Sequence, residues 1–128
     1  MVRRRKLGRW RSILKAAFAL PMTAAETATF SDLAGGRAPP KRRVRELFIV
    51  AGRRAGKDSI ASLLATFAAT IEQGHVGFLR PGEQAVVQCL AVDRDPARIV
   101  LGYIKALLDA TPDLGAMVER ETRGPETR

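Results

Sequence analysis

Glu46-Leu-Phe-Ile-Val-Ala-Gly-Arg-Arg-Ala-Gly-Lys-Asp-Ser59 is the stretch around which the chain is organised, and the run Ile60 to Ile71 follows it directly. Leu47 to Ala51 is a short unbroken apolar run, the pattern of a strand buried on both faces of a parallel sheet. Gly52 and Gly56 then bracket Arg53-Arg54-Ala55, and Lys57 follows at once. After it, Ile60, Leu63, Leu64, Phe67 and Ile71 recur at helical spacing.

Strand, glycine-bracketed loop, lysine and helix is the order of a phosphate-binding P-loop. A triphosphate needs several backbone N–H groups aimed at its oxygens from close range, where a side chain would obstruct, and glycine permits that approach. The first helical turn adds free amides and a dipole that attracts anions, and Lys57 would reach the β/γ oxygens as a point charge. The Walker A consensus G-x-x-x-x-G-K-[ST] reads here Ala51-Gly52-Arg53-Arg54-Ala55-Gly56-Lys57-Asp58, so residues 51–59 are the candidate nucleotide-binding residues. Alanine replaces the first glycine, with Gly52 beside it able to supply the permissive backbone. Asp58 stands where a hydroxyl normally binds Mg²⁺; its carboxylate would ligate the metal but repel the phosphates, and Ser59 lies one position late for the same role. The plainer reading is a left-handed Gly/Arg turn that only joins a strand to a helix.

Residues 43–59, Pro81-Gly82-Glu83 and Cys89-Leu-Ala-Val-Asp-Arg-Asp95 together resemble the amino-terminal part of the ATPase domain of bacteriophage terminase large subunits, the motors of DNA packaging. The Gly-Arg-Arg-x-Gly-Lys form of the loop is the most specific element, and the likeness extends over residues 26–122. The resemblance implies that Lys57 binds ATP phosphates and that Arg53 or Arg54 assists in the transition state, with Mg²⁺ as the accompanying ion. It also implies DNA, a small terminase subunit and a portal as partners, a possible homo-oligomer, and a cytoplasmic setting in a bacterial host cell. In such proteins the approach to the loop passes near the adenine, where Phe30 or an arginine of residues 37–45 would contact the base.

The 128 residues leave room for one domain or a piece of one, and 46% hydrophobic content is ordinary for a globular chain. One cysteine, Cys89, and one histidine, His75, exclude a disulfide framework and a zinc site built on Cys and His. His75, without a partner motif, reads as a surface residue. No run approaches the roughly 18 apolar residues of a membrane span. The net charge of +9 is unevenly placed: residues 1–58 hold 15 Lys/Arg against 4 Asp/Glu, whereas residues 59–128 hold 7 against 9. A basic first part calls for an acidic partner, with nucleic acid or anionic lipid the usual candidates.

Residues 1–20 start Met-Val-Arg-Arg-Arg-Lys and place Trp10, Ile13, Leu14, Ala17 and Phe18 on one face, a basic amphipathic helix. It would bind a DNA backbone, lie on a membrane, dock on a partner, or simply pack on the body. A secretory signal has a similar outline, but Lys15 and Pro21 interrupt its apolar core. Thr23 to Phe30 reads as a short helix, and Gly35-Gly36 and Pro39-Pro40 as breakers in a basic linker.

Ala85 to Val92 reads as a second buried strand, which with Leu47 to Ala51 and the intervening helix forms a right-handed βαβ unit. Cys89-Leu-Ala-Val-Asp93 has the outline of a Walker B strand with Asp95 as base. Alternatively Asp95 caps the next helix and Pro96 takes its first position, with Ala97, Val100, Leu101, Ile104 and Leu108 on one face and an end near Thr111-Pro112. A short turn around Leu114, Met117 and Val118 follows.

The expected fold class is therefore α/β: a partial P-loop NTPase fold with a parallel βαβ core and a basic amphipathic N-terminal helix. Residues 1–45 form the basic helix and linker, 46–122 the partial ATPase domain, and 123–128 a disordered tail. A clear Walker B, the coupling motif and the nuclease carboxylates are not in the sequence, so the expectation is a truncated or partial gene product, such as a prophage fragment, that binds nucleotide without being catalytically competent alone. The competing reading is a non-enzymatic nucleic-acid-binding module in which Arg3–Arg11 and Arg37–Arg45 neutralise phosphates and the loop grips one more. A small nucleotide kinase is disfavoured because no base-reading lid is present.

Overall fold

The computed structural model describes residues 2–72 and 74–121; of residues 2–6 the backbone alone is described. The region expected to be a disordered tail lies outside the described residues. Along the chain come α1 (Val2–Ala17), α2 (Ala24–Leu33), α3 (Lys57–Thr70), a 3-10 turn (Val76–Phe78), α4 (Arg94–Asp109) and α5 (Pro112–Gly115). The chain divides into two compact units, residues 1–55 and 56–128. No helix among the described residues is long and apolar enough to cross a membrane.

The α/β expectation is overturned: the described residues form helices and no strand. Residues 47–50 have no regular structure, and Phe48 and Val50 stand 90% and 105% exposed. Residues 85–91 are likewise irregular, with Val86 and Leu90 exposed. Apolar content alone cannot make a strand, because its N–H and C=O groups must be paired along both edges by other strands. Two short candidates supply too little pairing to hold each other. A helix satisfies its backbone internally, so the helical part of the pattern survives without the sheet.

In the first unit, α1 and α2 pack through small residues. Ser12, Ala16 and Ala17 are buried, while Trp10, Ile13, Leu14 and Phe18 are only half-buried. Small side chains let the two backbones approach, so the contact follows size as well as hydrophobicity. The hydroxyl of Ser12 is satisfied within α1, donating to Gly8 O at 3.1 Å. Glu26 of α2 binds Lys15 Nζ at 2.7 Å and Arg11 Nε at 3.1 Å. Its carboxylate also accepts from the Thr23 N–H at 2.9 Å, and Thr23 Oγ1 accepts from the Glu26 N–H at 3.2 Å, a reciprocal capping box that starts α2. α1 ends with Ala19 in the left-handed region, φ +52°, and a Leu20 N–H to Lys15 O bond of 2.8 Å closing the last turn. The chain then returns to α1: the Val44 N–H donates to Ala17 O at 2.9 Å, and the Arg43 guanidinium lies 4.8 Å from the Phe18 ring centre.

In the second unit, α3 packs on α4, and α5 returns against α4. The buried face of α3 is Ser62, Ala65 and Thr66, whereas Leu63 and Ile71 of the expected apolar stripe are exposed. Ser62, wholly buried, has its hydroxyl 2.7 Å from Asp58 O in its own helix and 3.1 Å from Val100 O of α4, so its single proton is shared between the two carbonyls with the nearer one in α3. The cap of α4 is Asp93, which accepts from the Arg94 N–H at 2.6 Å; Asp95 and Pro96 sit inside the first turn. The expected cap at Asp95 is thus two residues late, though a proline in the first turn still sacrifices no helical hydrogen bond.

Candidate phosphate-binding loop

The loop is a folded turn even though no strand leads into it. The Ala55 N–H donates to Gly52 O at 3.3 Å, closing a four-residue turn over Gly52-Arg53-Arg54-Ala55. Arg54 has φ +60°, a left-handed conformation that costs a non-glycine residue about 1–2 kcal/mol. Gly56 has φ +86° and ψ +17°, and as N-cap of α3 it offers no side chain to the helix. Positive φ thus recurs at Arg54 and Gly56 with Ala55 between them, an alternation of the kind that anion-binding nests use.

Four amides at the start of α3 are unspent. The first backbone bond of the helix runs from the Ile60 N–H to Gly56 O at 3.1 Å, and the N–H groups of Gly56, Lys57, Asp58 and Ser59 donate to no acceptor among the described residues. Ala55 O, which an earlier helical start would use for Ser59, instead accepts from the indole N–H of Trp10 at 2.8 Å. Sequence reasoning missed this bond, because nothing in the spacing of residues 45 apart announces it. A single tryptophan in a basic helix was the available signal, since a half-buried indole N–H needs an acceptor.

The cationic side chains of the loop face water. Gly52, Arg53, Arg54, Lys57 and Ser59 are exposed, while Ala51, Ala55 and Asp58 are half-buried. Lys57 Nζ lies 3.5 Å from Asp58 Oδ1, with side-chain exposures of 59% and 40%. An exposed pair of this kind is worth about 0–1 kcal/mol, little enough for a polyphosphate to displace it. Asp58 and Ser59 are the expected Mg²⁺ ligands, yet no group of three His, Cys, Asp or Glu gathers among the described residues. Asp58 already faces the Lys57 ammonium.

The other candidates lie elsewhere. Asp93 is a helix cap, which removes the Walker B alternative for Cys89–Asp93. Phe30 is half-buried in α2. His75, expected on the surface, is half-buried and lines a cavity of about 600 Å³ in the second unit with Thr66, Ala69, Val86, Cys89 and Ile104. Comparison of the chain with protein-family models, with curated proteins and with solved structures returns no match.

Proposed function

We propose that residues 52–59 bind the phosphate tail of ATP, as the resemblance to terminase large subunits implies. The observation that carries this reading is the alternation of left-handed backbone at Arg54 and Gly56 directly before four uncommitted amides. Those amides and the α3 dipole attract the phosphate oxygens, and Lys57 exchanges its pairing with Asp58 for the β/γ phosphates. Arg53 and Arg54, exposed on the same turn, add charge toward the terminal phosphate. Mg²⁺ would arrive with the nucleotide and supply charge neutralisation. The role assigned to this chain is binding, with DNA, other terminase components or a second copy as the partners of a packaging assembly. In the test, Lys57→Ala abolishes ATP binding measured by calorimetry at moderate salt, and unchanged affinity in that variant refutes the proposal.

A second reading is favoured by the charge of the first unit. Residues 1–55 hold 14 Lys/Arg against 3 Asp/Glu, and Arg9, Arg37, Lys41, Arg42 and Arg45 are exposed. A nucleic-acid backbone would be held there, and such binding falls steeply with salt while ATP binding through Lys57 persists. Duplex DNA binding that is lost on neutralising residues 37–45 but kept in Lys57→Ala would establish it.

A further inference from the structure

We propose that residues 84–92 are a dimerisation edge, pairing antiparallel with the same residues of a second copy of this chain, independently of the phosphate-binding reading of residues 52–59. Gln84-Ala-Val-Val-Gln-Cys-Leu-Ala-Val92 carries no charge, glycine or proline and is rich in residues that favour strands. Residues 83–91 run on without turn or bend, yet the N–H and C=O groups of residues 84–91 meet no hydrogen-bond partner among the described residues. Exposure alternates as an extended chain requires: Val86, Leu90 and Val92 are 82%, 84% and 107% exposed, against 47% for Val87 and a half-buried Cys89. Water satisfies the polar groups of such a segment but leaves its apolar side chains uncovered. The edge of another strand satisfies both.

A second copy supplies an edge of the same length and neutrality, and a twofold axis sets the patch against itself. Charge selects the register. Facing residues of an antiparallel pair lie on the same side of the ribbon, so the axis passes through a residue position and its own copy. Centring on Gln88 would set Glu83 directly against Asp93, a pairing of like charges. Centring on Cys89 avoids that clash and sets Val86 against Val92, Val87 against Ala91 and Gln84 against Arg94. Val86, Val87, Leu90 and Val92, with Leu101 on the rim of the adjoining cavity, expose roughly 600 Å² of side chain per copy; with the strand backbone this approaches the ~800 Å² that each partner gives to a standard interface.

Sedimentation equilibrium of the reduced full chain over micromolar concentrations is expected to show a monomer–dimer equilibrium, with amide hydrogen exchange at residues 86–92 slowing as the dimer forms. Leu90→Lys, at an exposed position outside every helix, is expected to weaken association about tenfold while helix content by circular dichroism stays unchanged. Mild oxidation with diamide reads the register, because Cys89 is the only cysteine of the chain and faces its own copy. The unaltered chain is expected to cross-link rapidly into a covalent dimer. Val87→Cys in a Cys89→Ser background, which faces Ala91 instead, is expected to do so only slowly. A chain that stays monomeric, a dimer indifferent to Leu90→Lys, association that continues past the dimer, or equal cross-linking from positions 87 and 89 overturns the proposal.

Discussion

Replacing Glu26 by Gln is expected to abolish an acid-sensitive component of the stability of the α1–α2 pair. Hydrogen bonding from Lys15 is the largest influence on this carboxyl, followed by the Thr23 N–H. Desolvation opposes them, and the charges of Lys15 and Arg11 add to the lowering, which brings the pKa from 4.5 to about 2. A group whose pKa is depressed by folding contributes its full stabilisation above the unfolded value and loses it as pH falls through the folded value. The window here runs from pH 4.5 down to about 2. Near pH 3.2 the unfolded carboxyl is about 95% protonated and the folded one about 5%, so unfolding takes up about 0.9 proton at Glu26. Thermal unfolding by circular dichroism, repeated through this window, is therefore expected to show a steeper acid loss in the unaltered chain than in Glu26→Gln. Within the cluster, Lys15→Met is expected to raise the carboxyl's titration midpoint further than Arg11→Met, because Lys15 is 2.7 Å away and 20% exposed while Arg11 is 3.1 Å away and 69% exposed. Carboxyl carbon resonances read that order directly. Parallel acid unfolding of the unaltered and Glu26→Gln chains would show that the cluster is not formed in solution.

Two further substitutions test the packing and the backbone. Ser62→Leu places a large side chain where α3 meets α4 with no free surface, so denaturant unfolding is expected to show a loss of about 1–3 kcal/mol, against about 1 kcal/mol for Ser62→Ala. A Ser62→Leu chain as stable as the original would mean that the two helices are not in close contact. Ala19→Gly relieves a left-handed alanine at the end of α1 and is expected to raise the unfolding midpoint, with a net gain of about 0.5–1 kcal/mol after glycine's greater freedom in the unfolded chain. No gain in that variant would place Ala19 in a different conformation.

The elements legible in the sequence are those whose causes lie within a few residues. The span Thr23 to Phe30 becomes α2, and its start is written in the Thr23-Ala-Ala-Glu26 spacing, a capping-box signal that sequence reading left unused. The helix expected after Asp95 is present as α4, starting at Arg94 because the nearer carboxylate of Asp93 takes the cap. Gly56 was a natural site for left-handed backbone, and it takes that conformation; that Arg54 does the same was not readable, since an arginine there runs against its own preference.

By itself, then, the sequence determined the positions of the helices, the turn between Gly52 and Gly56, and the basic character of the first unit, because caps, i to i+4 bonds and charge are local properties of the chain. Tertiary structure decided what those parts meet. Leu47 to Ala51 and Ala85 to Val92 carry strand-like composition, yet a strand exists only where a distant partner satisfies its edges, and none does so here among the described residues. The faces joining the helices are the small ones, Ser12 and Ala16 on α1 and Ser62 and Ala65 on α3, because closeness of approach depends on the side chains opposite. The indole of Trp10 reaches Ala55 O only once the chain has come back to α1, a closure between distant residues that no local pattern announces.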